Sequence, residues 1–308
     1  MSKIQRVLKF VFVAFISMSG VMHWNSAAAQ DASRYYTVMH PEEFEIDWGA
    51  FYEEAERRTA NVREQLPHHL DLAYGEDPKQ RLDLYLPEGE VEGAPVFLFL
   101  HGGGFREGDR AQYGFVAEPF AARGIITAVA SYRLTGDGHH YPAQPQDAKA
   151  AVEWLYRKVA QYGGDPEALY VGGHSAGAIL AADLGVDRAW LEERGIPQSV
   201  LRGIAPISGS YDLRGAEREY TPTPKAEVSA SPLLQIEAPV PAAVVAVGSV
   251  EEKYLASSRE LVERLERAGA SAELVVAEGE DHRDTVVSLG DADSRVFREI
   301  LAMIRPAG

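Results

Sequence analysis

ALYVGGHSAGAILAADL, residues 168–184, passes from an apolar strand pattern through a serine into a helix pattern of small residues. Ser175 stands at the turn between the two patterns, with Gly173 and Gly177 on either side. A sharp strand-to-helix turn forces its central residue towards a sparsely allowed backbone conformation, and flanking glycines remove the side chains that would clash there. The turn lifts the serine hydroxyl clear of the sheet and points the N-terminus of the following helix at it. The pattern therefore predicts that Ser175 is a nucleophile.

Strand and helix patterns alternate along the rest of the chain. Continuous apolar runs at residues 96–100 and 125–132 are typical of strands buried on both faces of a parallel sheet. Residues 81–87 alternate polar and apolar side chains, which indicates a half-exposed strand. Further strands are predicted at residues 168–172, 203–207, 242–247 and 272–277, and helices at about residues 48–65, 115–123, 146–162, 176–184, 255–268 and 294–304. The alternation predicts an α/β fold, with a mostly parallel sheet and helices on both faces.

A glycine-rich segment, His101-Gly102-Gly103-Gly104-Phe105, follows the most apolar strand directly. Three consecutive glycines leave backbone N–H groups unshielded, and such dipoles stabilise the negative charge that develops on a carbonyl oxygen during acyl transfer. Open α/β sheets place their ligands at the carboxyl ends of their strands, which is where this segment lies. We expect His101 to be a structural hydrogen-bonding residue here, and the glycines to face the reacting group.

A serine hydroxyl needs a base to take its proton, and histidine titrates in the useful range. Of the nine histidines, His282 follows Ser175 and lies in a predicted loop after the last predicted strand. The others are His23 in the N-terminal segment, His40, His68 and His69 before the sheet, His101 in the glycine segment, His139 and His140 in an upstream loop, and His174 beside the serine. The position of His282 completes the chain order of serine, acid and histidine. We therefore predict that His282 is the base.

The acid that orients the histidine is expected between the two, after the strand that ends at Val247. Glu251 and Glu252 lie in that loop, and adjacent residues point in different directions, so one of them can normally reach His282. Glu251 is preferred and Glu252 competes with it. Asp281 is a weaker alternative, because a direct neighbour of the histidine is poorly placed to orient it.

The first 29 residues have the composition of a cleaved secretory signal. Lys3, Arg6 and Lys9 precede an apolar run, and residues 27–29 are small. A retained membrane anchor or a buried helix are the alternatives, but polar residues and a glycine interrupt the run, which is short for a bilayer span. The predicted arrangement is a signal at residues 1–29, a helical segment at 30–69 that packs on the domain, and a catalytic domain at 70–308. The product would be secreted or periplasmic, without stable membrane anchoring.

Composition narrows the function further. The 308-residue chain has a net charge of −16, which becomes −19 once three positive charges leave with residues 1–29. Such an acidic protein is not expected to bind nucleic acid. The sequence contains no cysteine, which excludes thiol catalysis and thiolate metal sites.

These residues resemble the hormone-sensitive-lipase-like and feruloyl-esterase-like carboxylesterases of the α/β-hydrolase superfamily, from about residue 70 to 304. Segments 73–75, 80–87, 131–134, 141–147, 208–213 and 231–233 carry the likeness beside the two glycine motifs. The resemblance implies an α/β-hydrolase fold with a small cap and an oxyanion hole formed by the N–H groups of Gly103, Gly104 and Ala176. It also implies an acyl-enzyme on Ser175, with Glu251 as the acid. No metal or organic cofactor is required by that chemistry.

The expected function is a secreted serine carboxylesterase that hydrolyses short-chain or soluble esters, because little room for a large lid lies between Leu213 and Pro239. An amidase or arylformamidase with the same residues is the alternative. A catalytically silent binding protein on the same fold is a third hypothesis, since fold does not determine function. The expected partner is a small-molecule ester, and the oligomeric state is left open by the sequence.

Overall fold

An eight-stranded sheet forms the centre of the computed structural model, which describes residues 46–215 and 219–305. The strands are β1 His68–Ala73, β2 Arg81–Tyr85, β3 Ala94–Leu100, β4 Ile126–Ala130, β5 Gly164–His174, β6 Leu201–Ile207, β7 Ala242–Gly248 and β8 Ala272–Ala277. Their order across the sheet is β1-β2-β4-β3-β5-β6-β7-β8. The pairs β1–β2 and β2–β4 are antiparallel, and the remaining neighbours are parallel. The predicted fold class is confirmed.

Helices cover both faces of the sheet and have the following bounds. They are α1 Trp48–Gln65, α2 Ala117–Ala121, α3 Ala143–Lys158, α4 Ala176–Val186, α5 Ala189–Glu193, α6 Pro224–Ser229, α7 Glu252–Arg267, α8 His282–Leu289 and α9 Arg295–Ile304. One apolar cluster includes α3, α4 and α7 on one face, and a second includes α1 and α9 on the other. In the described ranges, no helix combines the length and apolar composition needed to cross a bilayer.

Helix α4 packs unusually close to the centre of the sheet, because its first turn contains glycine. A Cβ atom on Gly177 would collide with the carbonyl oxygen of Leu100 on β3, and one on Gly173 would collide with the carbonyl of Gly177. Both glycines are therefore required by packing as well as by the turn. The close approach fixes the start of α4 beside the carboxyl end of β3.

A buried cluster of polar side chains joins three of the segments that carry the family resemblance, residues 80–87, 131–134 and 141–147. The carboxylate of Asp147 on α3 receives the guanidinium of Arg133, at 2.6 Å between Nη2 and Oδ1, and the amide of Gln80, at 2.6 Å. The backbone N–H of Arg133 donates to the same carboxylate, at 2.9 Å. Because Asp147 is fully buried, losing Arg133 would leave the charge of its carboxylate without compensation. The cluster fixes the segment after β4 against α3.

Two sequence-based predictions about the sheet and its edges are wrong. His68 and His69 were expected before the sheet, yet both lie on its edge strand β1. Half of the residues of β1 are polar (two histidines and an aspartate), so its apolar content is too low for the strand to be recognised from pattern. His282 was expected in a loop, yet it is the first residue of helix α8.

The segment between Leu213 and Pro239 contains a small cap, as expected. Among its described residues, the regular elements are the six-residue helix α6 and a short 3₁₀ turn at Pro232–Leu234. Thr223 caps α6 by accepting a hydrogen bond from the N–H of Ala226. The proposed signal at residues 1–29, which includes His23, lies outside the described residues, and so does His40.

Candidate active site

Ser175 occupies the strained turn that its flanking glycines predict. Its φ is 55° and its ψ is −117°, a conformation that few non-glycine residues adopt. The N–H of Ser175 donates to the carbonyl of Ile207 at the end of β6, at 2.9 Å, which holds the turn against the neighbouring strand. Ser175 is partly exposed, while His174 and Ala176 on either side of it are buried. The turn therefore presents the serine towards solvent at the carboxyl edge of the sheet.

The glycine segment lies directly against this serine. A Cβ atom on Gly102 would come within 3.1 Å of the Cβ of Ser175. Gly103 and Gly104 have φ values of 107° and 60°, which explains why the backbone needs glycine at both positions. Ala176, the third residue of the expected oxyanion hole, is the first residue of α4, where N–H groups have no acceptor within the helix. These backbone donors stand at the same edge of the sheet as Ser175.

The structure brings His282 and Glu251 together. The imidazole Nδ1 of His282 lies 2.5 Å from Oε1 of Glu251, and both side chains are fully buried. Glu252 is exposed on the first turn of α7, and the carboxylate of Asp281 is occupied as the N-cap of α8. Of the three candidate acids, Glu251 is the one that contacts the histidine. Such a carboxylate fixes the imidazole tautomer and stabilises its protonated form.

The second carboxylate oxygen of Glu251 is held by donors of its own. The hydroxyl of Ser208 donates to Oε2 at 2.6 Å, and the N–H of Gly248 donates to the same atom at 2.7 Å. Two charge-assisted bonds of this kind immobilise the carboxylate. Thr285 on α8 lies 3.0 Å from the Ser208 hydroxyl and donates to the carbonyl of His282 at 3.1 Å. The orientation of His282 is therefore fixed through both its ring and its backbone.

His174, next to the serine, connects the turn to the histidine. Its Nε2 lies 2.7 Å from the carbonyl oxygen of His282, and the centroids of the two imidazole rings are 4.5 Å apart. A carbonyl can only accept, so Nε2 of His174 carries the proton. Burial, followed by the nearby His282, holds the pKa of His174 well below its usual value. His174 is therefore a neutral donor between Ser175 and α8.

Comparisons with known proteins show which family the fold belongs to. A family profile described as BD-FAE matches residues 82–203. The isoprenylcysteine alpha-carbonyl methylesterase of Arabidopsis thaliana is 26% identical over 298 residues, which are 88% of this chain and 67% of that protein. A kynurenine formamidase of Danio rerio is 26% identical over 80% of this chain and 85% of its own length. Thermogutta terrifontis esterase 2, solved phosphoramylated by tabun, has a TM-score of 0.60 at 24% identity and covers 79% of this chain and 97% of its own. The chain is an α/β-hydrolase.

Within that superfamily its matches lie in the hormone-sensitive-lipase-like and feruloyl-esterase-like carboxylesterase branch, as the sequence motifs indicated. The hydrolase spans 55%, 61% and 63% of the length of three further plant proteins of the methylesterase kind. The chain thus matches somewhat more than half of the length of each of those relatives.

His101 has the structural role that its position suggested. It is fully buried, and its Nδ1 donates to the carbonyl of Gly102 at 2.7 Å. Its ring stacks on that of Tyr132, with centroids 4.4 Å apart, and the Tyr132 hydroxyl donates to the His101 carbonyl at 2.7 Å. Burial lowers the pKa of His101 to about 4. This histidine therefore remains neutral and supports the glycine segment of the hydrolase from below.

The sequence did not assign roles to several residues at the site of the hydrolase. Ser208 was quoted in a family motif only, although its place at the end of β6 and its φ of 52° mark it as unusual. Trp48 and Tyr254 contact His282 with ring centroids 6.2 Å and 4.9 Å away. Trp48 belongs to α1, which is far from His282 in the sequence, and no local pattern relates Trp48 to His282.

The cap covers the last residue of the glycine segment and the residue that follows it. The ring of Tyr220 stacks on Phe105, with centroids 3.8 Å apart, and Glu219 pairs with Arg106 at 2.7 Å. The N–H of Tyr141 donates to the carbonyl of Tyr220 at 3.0 Å. The loop at residues 137–141 is thus joined to the cap over the glycine segment.

Proposed function

We propose that this hydrolase is a serine carboxylesterase with Ser175 as nucleophile, His282 as base and Glu251 as the orienting acid. The observation that carries the proposal is the buried 2.5 Å contact between His282 and Glu251, at the sheet edge where Ser175 stands on its strained turn. A base held in this way can accept a hydroxyl proton and later return it. The phosphoramylated esterase of Thermogutta terrifontis, which shares the fold, supports the choice of chemistry.

In the proposed reaction Ser175 Oγ bonds to the acyl carbon, and its proton passes to His282. The negative charge on the carbonyl oxygen is stabilised by the N–H groups of Gly103, Gly104 and Ala176. The bond from the acyl carbon to the alcohol oxygen then breaks, and His282 gives its proton to that oxygen. Water attacks the acyl-enzyme in the same manner, with His282 as base, and releases the acid and the free serine.

Labelling with a fluorophosphonate probe tests this proposal. Wild-type protein should incorporate about one probe per chain and lose ester hydrolysis in parallel. Ser175→Ala should abolish both, while Ser249→Ala, a serine in the loop after β7, should retain both. A wild-type protein that takes up no probe and hydrolyses no ester would support the silent binding protein instead.

A preference for short-chain or soluble esters is the second part of the proposal. In the described part of the segment between Leu213 and Pro239, the six-residue helix α6 and a short 3₁₀ turn leave little material to cover a long acyl chain. Rates on p-nitrophenyl acetate, butyrate, octanoate and palmitate should fall as the chain lengthens. A maximum at palmitate would contradict this part alone.

Amide or formamide hydrolysis is the alternative, and the similarity to the kynurenine formamidase of Danio rerio favours testing it. An amide leaving group needs its nitrogen protonated by the same histidine, so the residues above serve either reaction. Purified protein should be compared on phenyl acetate and formanilide. A higher kcat/KM on formanilide would replace the esterase proposal with the amidase one.

Export is proposed from the N-terminal composition. Expression of the full sequence in a bacterium, followed by fractionation and N-terminal sequencing, should give a periplasmic or secreted product that begins near residue 30. A product retained in the membrane with an intact N-terminus would contradict cleavage.

A further inference from the structure

The imidazole of His282 is enclosed by aromatic rings of unequal exposure. The ring centroids of His174 and Tyr254 lie 4.5 Å and 4.9 Å from that of His282, and both residues are buried. Trp48 lies 6.2 Å away, at an interplanar angle of 76°, and is partly exposed. Of these three neighbours, Trp48 is thus the one that faces solvent. Trp48 is therefore the one of these three neighbours that a bound molecule can contact.

The proposed chemistry says which part of the substrate can contact Trp48. Nδ1 of His282 is occupied by Glu251, so Nε2 is the nitrogen that exchanges protons with the reactants. The oxygen of the departing alcohol must come within about 3 Å of Nε2 to receive its proton. The substituent on that oxygen then begins one bond further out, within the 6.2 Å that separates the ring centroids of His282 and Trp48. Trp48 is therefore a neighbour of the leaving group.

Helix α1 continues this surface by one turn. Tyr52 lies four residues after Trp48, with ring centroids 6.2 Å apart, and Phe51 packs edge-on against Trp48 from the buried side, at 5.6 Å. Residues spaced by four lie on one face of a helix. The two partly exposed rings, supported by a buried one, present planar apolar surface that aromatic groups contact favourably.

A carboxylate closes the far end of the surface. The Tyr52 hydroxyl lies 3.5 Å from Oε1 of Glu107, a residue that follows the glycine segment. Burial, followed by the charge of Glu107, raises the pKa of Tyr52 well above its usual value, so the tyrosine remains a neutral hydroxyl. A negatively charged substituent placed here would be repelled by Glu107.

We propose that Trp48 and Tyr52 form the leaving-group subsite, and that the subsite takes an uncharged aromatic alcohol. The inference rests on the proposed esterase function. It assigns the N-terminal helix a part in substrate selection, in addition to its packing against the domain.

Two esters with the same acyl group separate aromatic recognition from leaving-group reactivity. Benzyl acetate and cyclohexylmethyl acetate release primary alcohols of similar size, and only the first has a planar ring. Wild-type kcat/KM should favour benzyl acetate, and Trp48→Leu should reduce that ratio by about three- to ten-fold, the range of one aromatic contact. Trp48→Phe should retain most of the ratio. The control is Trp154→Leu, since Trp154 is also partly buried but packs on Tyr162 of another region, at 6.0 Å.

Endpoint labelling with the fluorophosphonate probe is measured on every variant. If Trp48→Leu labels fully and keeps the wild-type ratio, the subsite is overturned while the esterase proposal stands. If wild type neither labels nor hydrolyses either ester, the esterase proposal fails and the subsite falls with it. A ratio that falls equally in Trp154→Leu would also overturn the inference.

Charge gives an independent arm. At low ionic strength, where screening is weak, 4-carboxybenzyl acetate should be hydrolysed less efficiently than benzyl acetate, and Glu107→Gln should narrow that difference by about two- to five-fold. Glu107→Gln should leave the benzyl to cyclohexylmethyl ratio unchanged. A charge preference that persists in Glu107→Gln would overturn the assignment of this end of the subsite.

Discussion

Ser208 donates its hydroxyl to Oε2 of Glu251 across 2.6 Å, from a backbone conformation with a φ of 52°. Positive φ is costly for a serine, and such strain persists where the surrounding contacts impose it. The contact occupies one oxygen of the carboxylate and leaves Oε1 to His282. Ser208 therefore fixes the carboxylate that contacts His282, and in the proposed mechanism it acts as a positioning residue.

Replacing Ser208 by glycine should lower kcat by about ten-fold, with little change in KM, because a buried carboxylate loses a charge-assisted bond. Glycine accepts the positive φ, so the backbone should be retained. Thr285→Val, which removes the hydroxyl that neighbours Ser208, serves as the comparison and should have a smaller effect on kcat. Equal losses of kcat in both variants would point to general destabilisation.

The identity of the acid is tested by amide substitutions at the three candidate positions. Glu251→Gln should reduce kcat by about 10²- to 10⁴-fold, because an amide can present its NH₂ to Nδ1 and stabilise the wrong imidazole tautomer. Glu252→Gln should stay within about two-fold of wild type, as expected for an exposed side chain. Asp281→Asn should retain activity, because asparagine caps helices as well as aspartate does. Steady-state rates on p-nitrophenyl acetate decide among them, and a collapse in Glu252→Gln alone would reassign the acid.

Stability should fall in mild acid because of buried neutral histidines. The pKa of His101 is about 4 in the folded protein and near 6.5 when unfolded, so the unfolded chain binds one more proton between these values. The contribution of His101 to the free energy of unfolding should therefore be fully present above pH 6.5 and decline by about 3 kcal/mol as the pH falls to 4. His174 contributes with the same sign. Urea unfolding of wild type and His101→Asn across this range should show a shallower pH dependence in the variant.

Asp183 on α4 should act with the opposite sign. Burial raises the pKa of its carboxyl to about 6, and Lys149 lies 3.9 Å away, beyond hydrogen-bonding distance. The folded state therefore holds a proton that the unfolded state releases between pH 3.8 and 6, which makes ionised Asp183 destabilising above pH 6. Asp183→Asn should stabilise the protein at pH 8 by up to about 3 kcal/mol and change it little at pH 4. Thermal midpoints at the two pH values provide the measurement, and equal shifts at both would contradict the titration.

Local patterns predicted the regular elements well. Helix α1 was predicted at about residues 48–65 and is Trp48–Gln65, because its N-cap Asp47 and its amphipathic spacing are both local signals. Strand β8 was predicted at 272–277 and has those bounds. Edge strand β1 was missed, since its pairing with β2 rather than its own composition makes it a strand. Helix α8 was missed because eight residues give little periodicity.

The candidate site was predictable wherever chain order and motif spacing restricted the choice. Ser175 and His282 followed from position, and the preference for Glu251 over Glu252 agrees with the observed contact. Ser208 and Trp48 could not be found in this way. Their contacts with Glu251 and His282 arise only when distant segments fold together, and neither residue belongs to a pattern whose chemistry is local.

The hydrogen bond from His174 to the carbonyl of His282 also affects how the site unfolds on heating. Local opening of α8 breaks that bond and, with it, the links through Thr285 and Glu251, so the turn and the helix open as one cooperative unit. A warmed population is then a mixture of competent and incompetent molecules rather than a set of uniformly weakened ones. Partial inactivation should accordingly lower the fraction of molecules whose Ser175 reacts with the fluorophosphonate probe, while the surviving molecules keep their KM.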